Sequence, residues 1–413
     1  MLYLLQGFAT VWPCGTDRPD ASSLSSARSA PGNISGAASL SDRSACTVRS
    51  SDWGRHGDVA EGATVTIRVV QWTTGNVGKE SVKAIFANPG YELVGCYAWS
   101  QSKVGVDVGE LVGIEPVGVA ATNDVDALLA LAPDVVVYNP MWPSVDELVR
   151  ILVAGVNVVT TAAFITGARL GDERQRIVDA CERGGSSMFG TGVSPGFAEL
   201  VAMTVAGICS RVDKVTVAET ADTTFYDSPD SERVAGFGHP IDHPDLHEMA
   251  RTGTAVFGEA VAMVADALGV ELDEIVCESE FAQTTADLEM ASWTIPAGHV
   301  AGVAASWQGR VGGRTVVDLN VRWKKGATLE PNWVIERDGW VIRIDGLPTV
   351  TASLDFLPPP DFHGETIEDF MSIGHIITAV PALNAIPAVV AAPPGIVTYA
   401  DMDFPMPRGW VHH

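Results

Sequence analysis

A chain of 413 residues that is 46% hydrophobic holds enough apolar material for a large core, and its length points to two domains. A formal net charge of −25, with no densely basic stretch, argues against gripping nucleic acid or an anionic membrane surface. The six cysteines, at 14, 46, 96, 181, 209 and 277, show no CxxC spacing; that fits reduced thiols in a cytoplasmic protein and neither a disulfide framework nor a metal site.

Residues 1–64 stand apart. The run ASSLSSARSAPGNISGAASLSDRS is small, polar and aperiodic, the composition of a disordered extension. The opening MLYLLQGFATVW lacks the basic n-region and the cleavage site of a signal peptide. Regular patterning starts at Val65, and because valine codons sometimes serve as starts, translation from there is the simpler expectation.

From Thr66 the chain alternates. TIRVVQW reads as a buried strand, followed by a helix with Val82, Ile85 and Phe86 on one face and a stop at Pro89. YELVGCYAW is a second strand, and DVDALLALA with PDVVVYNP is the next helix and strand. Ser144 and Glu147 form a capping box ahead of a helix carrying Val145, Leu148, Val149 and Leu152. VNVVTTA, GDERQRIVDACERGG and SSMFGTG continue as strand, helix and strand, and Pro195 opens the helix FAELVAMTVAG. Nearly continuous apolar strands between helices predict a doubly wound parallel α/β sheet over 65–208.

After about residue 209 the pattern becomes α+β. VDKVTVAET, HVAGVAASW, RTVVDLNVRW and TVTASLDFL predict a mostly antiparallel sheet, NWVIERDGWVIRI a hairpin turning at Asp338-Gly339, and TAVFGEAVAMVADALGV one helix. Residues 365–413 return to apolar helical sequence and are expected to pack back on the first domain. IITAVPALNAIPAVVAAPPGIV, with four prolines, reads as a buried, interrupted helix rather than a lipid-facing span.

The turn after the first strand carries the chemistry. Thr73-Thr74-Gly75-Asn76-Val77-Gly78 has the outline of GxGxxG with threonine for the first glycine. Between a buried strand and a helix, such a turn lets backbone amides and the positive helix end meet a pyrophosphate. The second strand ends in Tyr97-Ala98-Trp99-Ser100-Gln101-Ser102-Lys103, without the carboxylate that holds a ribose 2′-hydroxyl. Ser100 and Lys103 suit a 2′-phosphate, so NADP(H) is expected, with NAD(H) as the alternative.

VVQWTTGNVGK, VNVVTTA, GTGVSPGF and NAIPAVVAAPPGIVT together resemble the 2,4-diaminopentanoate dehydrogenase and native amine dehydrogenase family, over roughly residues 65–405. Its N-terminal domain is similar to dihydrodipicolinate reductase. The resemblance implies a homodimer using NAD(P)H on a carbon–nitrogen bond, with a small substrate between the two domains. The amine dehydrogenases of this family carry a catalytic glutamate in the turn after the strand VNVVTTA. Here that turn reads Ala162-Ala163-Phe164, which puts amine dehydrogenase activity in question. Dihydrodipicolinate reductase fits less well, because its paired-histidine motif and PSGTA-like loop are missing.

Asn139, Pro140, Thr161 and Ala162 are expected beside the nicotinamide; Trp142, Ala163, Phe164 and Asp222 are expected around the substrate. The first-domain loops expected to face the nicotinamide offer no acid, so Tyr226 and His299 of the second domain are the proposed proton donors. Glu219 is a further candidate, and Glu289 reads as a helix-surface residue. His239, His243 and His247 bend around Pro240 and Pro244, which suits a polar loop better than a metal site. Two functions follow: an oxidoreductase acting on C=N or C=O, or an idle NADP(H)-binding redox sensor. A sugar or alcohol dehydrogenase would want a Lys or His base near the end of the fifth strand, and none is there.

Overall fold

Parallel strands roofed by helices on both faces bury successive residues, and the first strand does so: Val69, Val70, Gln71 and Trp72 have no exposed surface. The computed structural model describes residues 66–402; the expectations for residues 1–64, and Cys14 and Cys46, lie outside them. In the first half the elements are β1 (Ile67–Trp72), α1 (Asn76–Ala87), β2 (Tyr91–Tyr97), α2 (Val108–Val112), β3 (Ala121–Thr122), α3 (Val125–Ala130), β4 (Val135–Tyr138), α4 (Val145–Val153), β5 (Asn157–Thr160), α5 (Glu173–Gly184), β6 (Ser187–Gly190) and α6 (Ala198–Ala206). The second half comprises β7 (Arg211–Asp222), α7 (Pro229–Val234), α8 (Leu246–Gly253), α9 (Ala255–Leu268), β8 (Glu274–Thr284), β9 (Leu288–Glu289), β10 (Thr294–Ile295), β11 (Val300–Val311), β12 (Arg314–Lys324), β13 (Leu329–Glu330), β14 (Gly339–Leu347) and β15 (Val350–Leu354). The tail adds α10 (Ile367–Val390) and β16 (Gly395–Val397).

All pairs in the first sheet are parallel, in the order β16-β6-β5-β4-β1-β2-β3. The winding reverses between β1 and β4, and that reversal opens a crevice at the carboxyl edge where a ligand can enter. The second sheet runs β13-β8-β11-β12-β7-β14-β15 and is antiparallel except for the β12–β7 pair. One apolar core joins the two sheets, running from Val69, Val137 and Phe189 through Ala202 of α6 and Val261 of α9 to Val217 and Ile342.

Several local expectations are corrected. The tail helix is not interrupted: α10 runs unbroken through Pro381 and Pro387. It is long and apolar enough to cross a membrane, yet Ala382, Leu383, Ile386 and Val389 are buried in the core and Tyr91 Oη donates to Leu383 O at 2.7 Å. Residues 332–338 form no strand, so no hairpin turns at Asp338; β14 pairs instead with β7 and β15. Only half of the capping box forms. The Ser144 hydroxyl accepts from Glu147 N, while the Glu147 carboxylate accepts from Tyr138 Oη at 2.8 Å. Phe86 lies 62% exposed, because Gly78, Ser81, Val82 and Ile85 already fill the inward face of α1. Glu289 sits in the short strand β9, exposed, and not on a helix.

Candidate active site

The turn between β1 and α1 is built for close approach of a ligand to the backbone. A Cβ on Gly78 would stand 2.4 Å from Thr73 O and 3.2 Å from Gln71 Nε2, so only glycine fits there. Gly75 faces open space, with no atom within 4 Å of its would-be Cβ. The cap of α1 makes no side-chain hydrogen bond, and the first intrahelical bond is Lys79 N to Gly75 O at 2.8 Å. The amides of Asn76, Val77 and Gly78 therefore precede the helix's own hydrogen bonding and are available to phosphate oxygens. Thr73 fills the place of the first glycine with φ +75°, a conformation a β-branched residue rarely adopts. These features fit the pyrophosphate of a dinucleotide.

A polar chain ties the strand ends together beneath this turn. Gln71 Nε2 donates to Thr73 O at 2.9 Å and to Asn139 Oδ1 at 2.8 Å, and Asn139 Nδ2 donates to Thr161 Oγ1 at 2.7 Å. Residues following β1, β4 and β5 are thus held in one register at the carboxyl edge. Trp72 stacks on Tyr97 with ring centroids 4.3 Å apart, which stiffens the floor between β1 and β2. At the end of β2, Lys103 Nζ reaches the glycine turn, donating to Thr74 Oγ1 at 3.0 Å and to Thr74 O at 3.2 Å. The Ser100 and Ser102 hydroxyls lie 2.9 Å apart, and Trp99 is 77% exposed beside them.

The turn after β5 departs from expectation. Phe164 does not face a substrate: it is buried among Leu148, Ile177 and Met188, and Ala162 is buried with it. The backbone folds back here because Glu259 of α9 draws it in. Glu259 Oε2 accepts from the amides of Ile165, Thr166 and Gly167, each at 2.9 Å, and its Oε1 accepts from Arg169 N at 3.1 Å. Of the turn residues only Ala163 is exposed. In the loop after β4, Asn139 and Pro140 are half-buried, while Met141 and Trp142 are 56% and 62% exposed.

Each proposed second-domain acid has local partners of its own. Tyr226 is 41% exposed, on a loop pinned by the buried Lys325, whose Nζ donates to the carbonyls of Thr223 and Tyr226 and pairs with Glu232 at 2.6 Å. His299 opens β11 beside His239 and Pro240, its Nδ1 3.2 Å from Ala297 O, next to the separate cluster of Phe237, Trp293 and Val300. Asp222 is engaged by Lys324 at 3.3 Å and by the Thr224 amide at 3.1 Å. His239 and His243 rings stand 5.3 Å apart, but His247 turns to Ser279 Oγ, so the three do not converge.

One carboxyl not singled out in the sequence, Glu199 of α6, lies close to the candidate Glu219 of β7. Glu199 of α6 is fully buried; its Oε2 accepts from Gly196 N, and Ser194 Oγ is 3.5 Å from its Oε1. Glu219 of β7 accepts from Trp323 Nε1 at 2.7 Å and Trp340 Nε1 at 3.0 Å. Burial pushes Glu199 up to about 7, and it raises Glu219 as well, with each indole pulling the other way. The one readable signal was a lone glutamate in an otherwise apolar helix, FAELVAMTVAG.

Residues 197–413 match the 2,4-diaminopentanoate dehydrogenase C-terminal domain, and residues 69–185 match the dihydrodipicolinate reductase N-terminus. An amine dehydrogenase of Streptomyces virginiae is 30% identical over 359 residues, 82% of this chain and 96% of that protein. The chain belongs to the 2,4-diaminopentanoate dehydrogenase and amine dehydrogenase family. The 2,4-diaminopentanoate dehydrogenase of Acetoanaerobium sticklandii is 26% identical over 64% of this chain and 70% of its own length. The fold is that of an amine dehydrogenase from Mycobacterium smegmatis, with a TM-score of 0.67 at 21% identity over 82% of this chain and 98% of that one. As a member of this family the protein is an NAD(P)-dependent oxidoreductase.

Proposed function

We propose that the protein is an NADP(H)-preferring reductase of a preformed C=N bond in a small molecule. When bound, the dinucleotide supplies the hydride. The names of the two relatives, an amine dehydrogenase and a 2,4-diaminopentanoate dehydrogenase, support chemistry at a carbon bearing nitrogen. One observation favours a preformed C=N over a ketone plus ammonia: the turn Thr161–Phe164 has no carboxylate, and the nearby Glu259 spends both oxygens on backbone amides. A charge-assisted hydrogen bond contributes about 1.5–3 kcal/mol. Its loss from the transition state costs roughly tenfold to a hundredfold in rate, so ammonia is poorly held beside a carbonyl. Lys103, anchored at the glycine turn with Ser100 and Ser102 close by in sequence, favours a 2′-phosphate over a bare ribose. The homodimer implied by the resemblance belongs to the same reading, and light scattering tests it.

NADPH oxidation with a cyclic imine, compared with a ketone plus excess ammonia, tests the reaction. Turnover of the imine without ammonia is the expected result, and robust ammonia-dependent turnover of a simple ketone refutes it. Calorimetry on Lys103→Ala should give a larger affinity loss for NADPH than for NADH; equal losses refute the 2′-phosphate role.

A further inference from the structure

Glu219 is an acid with a donor on each oxygen and no counter-charge. It lies two residues beyond Val217 in β7, and Val217 is buried in the core that joins the two sheets. Residues two apart on a strand share a face, so the Glu219 side chain points towards the first domain. Trp340 of β14 stands directly opposite it, and Trp323 lies one diagonal step away on β12. Each indole is packed against a ring of its own, Trp340 with Phe356 at 6.0 Å and Trp323 with Phe257 at 6.2 Å between centroids.

The two indoles select the charged form of the acid. Indole N–H groups only donate, and they meet separate oxygens: Trp323 Nε1 bonds Oε1 at 2.7 Å and Trp340 Nε1 bonds Oε2 at 3.0 Å. A protonated carboxyl would need an acceptor for its own hydrogen, and the hydrogen bonds of Glu219 include none. Among the described residues no lysine, arginine or histidine comes within ion-pair distance of it, and the ionisable group close by is a second acid, Glu199. Burial works against the charge, so a cation is what this carboxylate lacks.

The site is also open and well placed. Glu219 is half-buried, which leaves it within reach of a ligand. Its neighbour Glu199 stands in the first turn of α6, which starts from the carboxyl end of β6 beside β5, the edge that carries Thr161.

We propose that Glu219, framed by Trp323 and Trp340, binds a positively charged substrate nitrogen, so that the substrate is an iminium rather than a neutral imine. This rests on the C=N reading above and removes its need for a proton donor, because an iminium already carries its nitrogen substituents in full. A C–H bond forms with the hydride that the bound dinucleotide supplies, the π pair of the C=N becomes the nitrogen lone pair, and the dinucleotide's oxidation balances the electrons. A nitrogen held here as ammonium has no lone pair to add to a carbonyl, so the site does not restore amination of a ketone. The aromatic walls suit the hydrocarbon body of the ligand and strengthen the charge pairing by excluding water.

Piperidine, protonated at pH 7 and unable to accept a hydride, and tetrahydropyran, its neutral analogue, probe the site without turnover. Ligand-observed NMR titration of the full chain with NADP+ should show piperidinium binding at least about tenfold tighter than tetrahydropyran. Equal binding of the two, or binding of neither, overturns the proposal. Glu219→Gln should bring piperidinium down to the tetrahydropyran level, with NADPH affinity within about twofold by calorimetry. An unchanged preference in folded Glu219→Gln overturns the proposal as well, and if that variant does not fold, the wild-type comparison decides. A protein that prefers piperidinium yet reduces no imine counts against the functional reading and leaves the cation site standing.

Discussion

Removing the Glu259 carboxylate tests how the second domain shapes the first. Four amides, those of Ile165, Thr166, Gly167 and Arg169, converge on this side chain from 90 or more residues away, and it is 3% exposed. In Glu259→Ala the Ile165 and Gly167 donors are left buried with no acceptor, at about 1–3 kcal/mol each, while the two half-buried donors turn to water at lower cost. The expected loss is therefore about 3–5 kcal/mol, a large fraction of a typical stability. Glu259→Gln keeps a carbonyl oxygen for the three-amide site but presents NH₂ to Arg169 N, so its loss should be about 1–2 kcal/mol. Urea denaturation of both variants, at constant m, gives these values. Because the same backbone leads from Thr161, Glu259→Ala should also weaken NADPH binding measured well below the unfolding transition. A loss under about 1 kcal/mol in Glu259→Ala, or equal losses in the two variants, would refute the claim that convergent amides hold this turn.

Gly78→Ala should destabilise by about 1–3 kcal/mol through the clash with Thr73 O and should abolish NADPH binding in calorimetry. Thr73→Gly should do the opposite to stability, raising it by up to about 1 kcal/mol, because φ +75° costs a β-branched residue more than glycine loses in chain entropy. Stability should also fall as pH rises: burial lifts Glu199 from 4.5 to about 7, so the folded state binds the extra proton between those values. That contribution is full below 4.5 and lost through 7, worth about 3 kcal/mol, and denaturation midpoints of Glu199→Gln across this range should show a smaller dependence, with Glu219 supplying what is left.

The parallel sheet and the dinucleotide turn were legible in the sequence, because both are local signals. Runs such as VVVY bury every residue only in a sheet covered on both faces, and Gly75 and Gly78 mark the turn by what they lack. The missing carboxylate at 162–164 was equally plain. Periodicity says nothing of long-range pairing, however. It did not reveal that the tail strand β16 would add to β6, or that β8, with glutamates on alternate positions, would pair with β11. Nor does a residue's type announce which way a turn will fold. Phe164 points inward because Glu259, far along the chain, draws its backbone down. Glu219 was among the candidates, whereas Glu199 lies on a helix whose apolar neighbours made it look incidental. Only packing α6 against the second sheet takes the Glu199 carboxyl out of water, and burial shared between distant segments is what turns an ordinary glutamate into an acid at neutral pH.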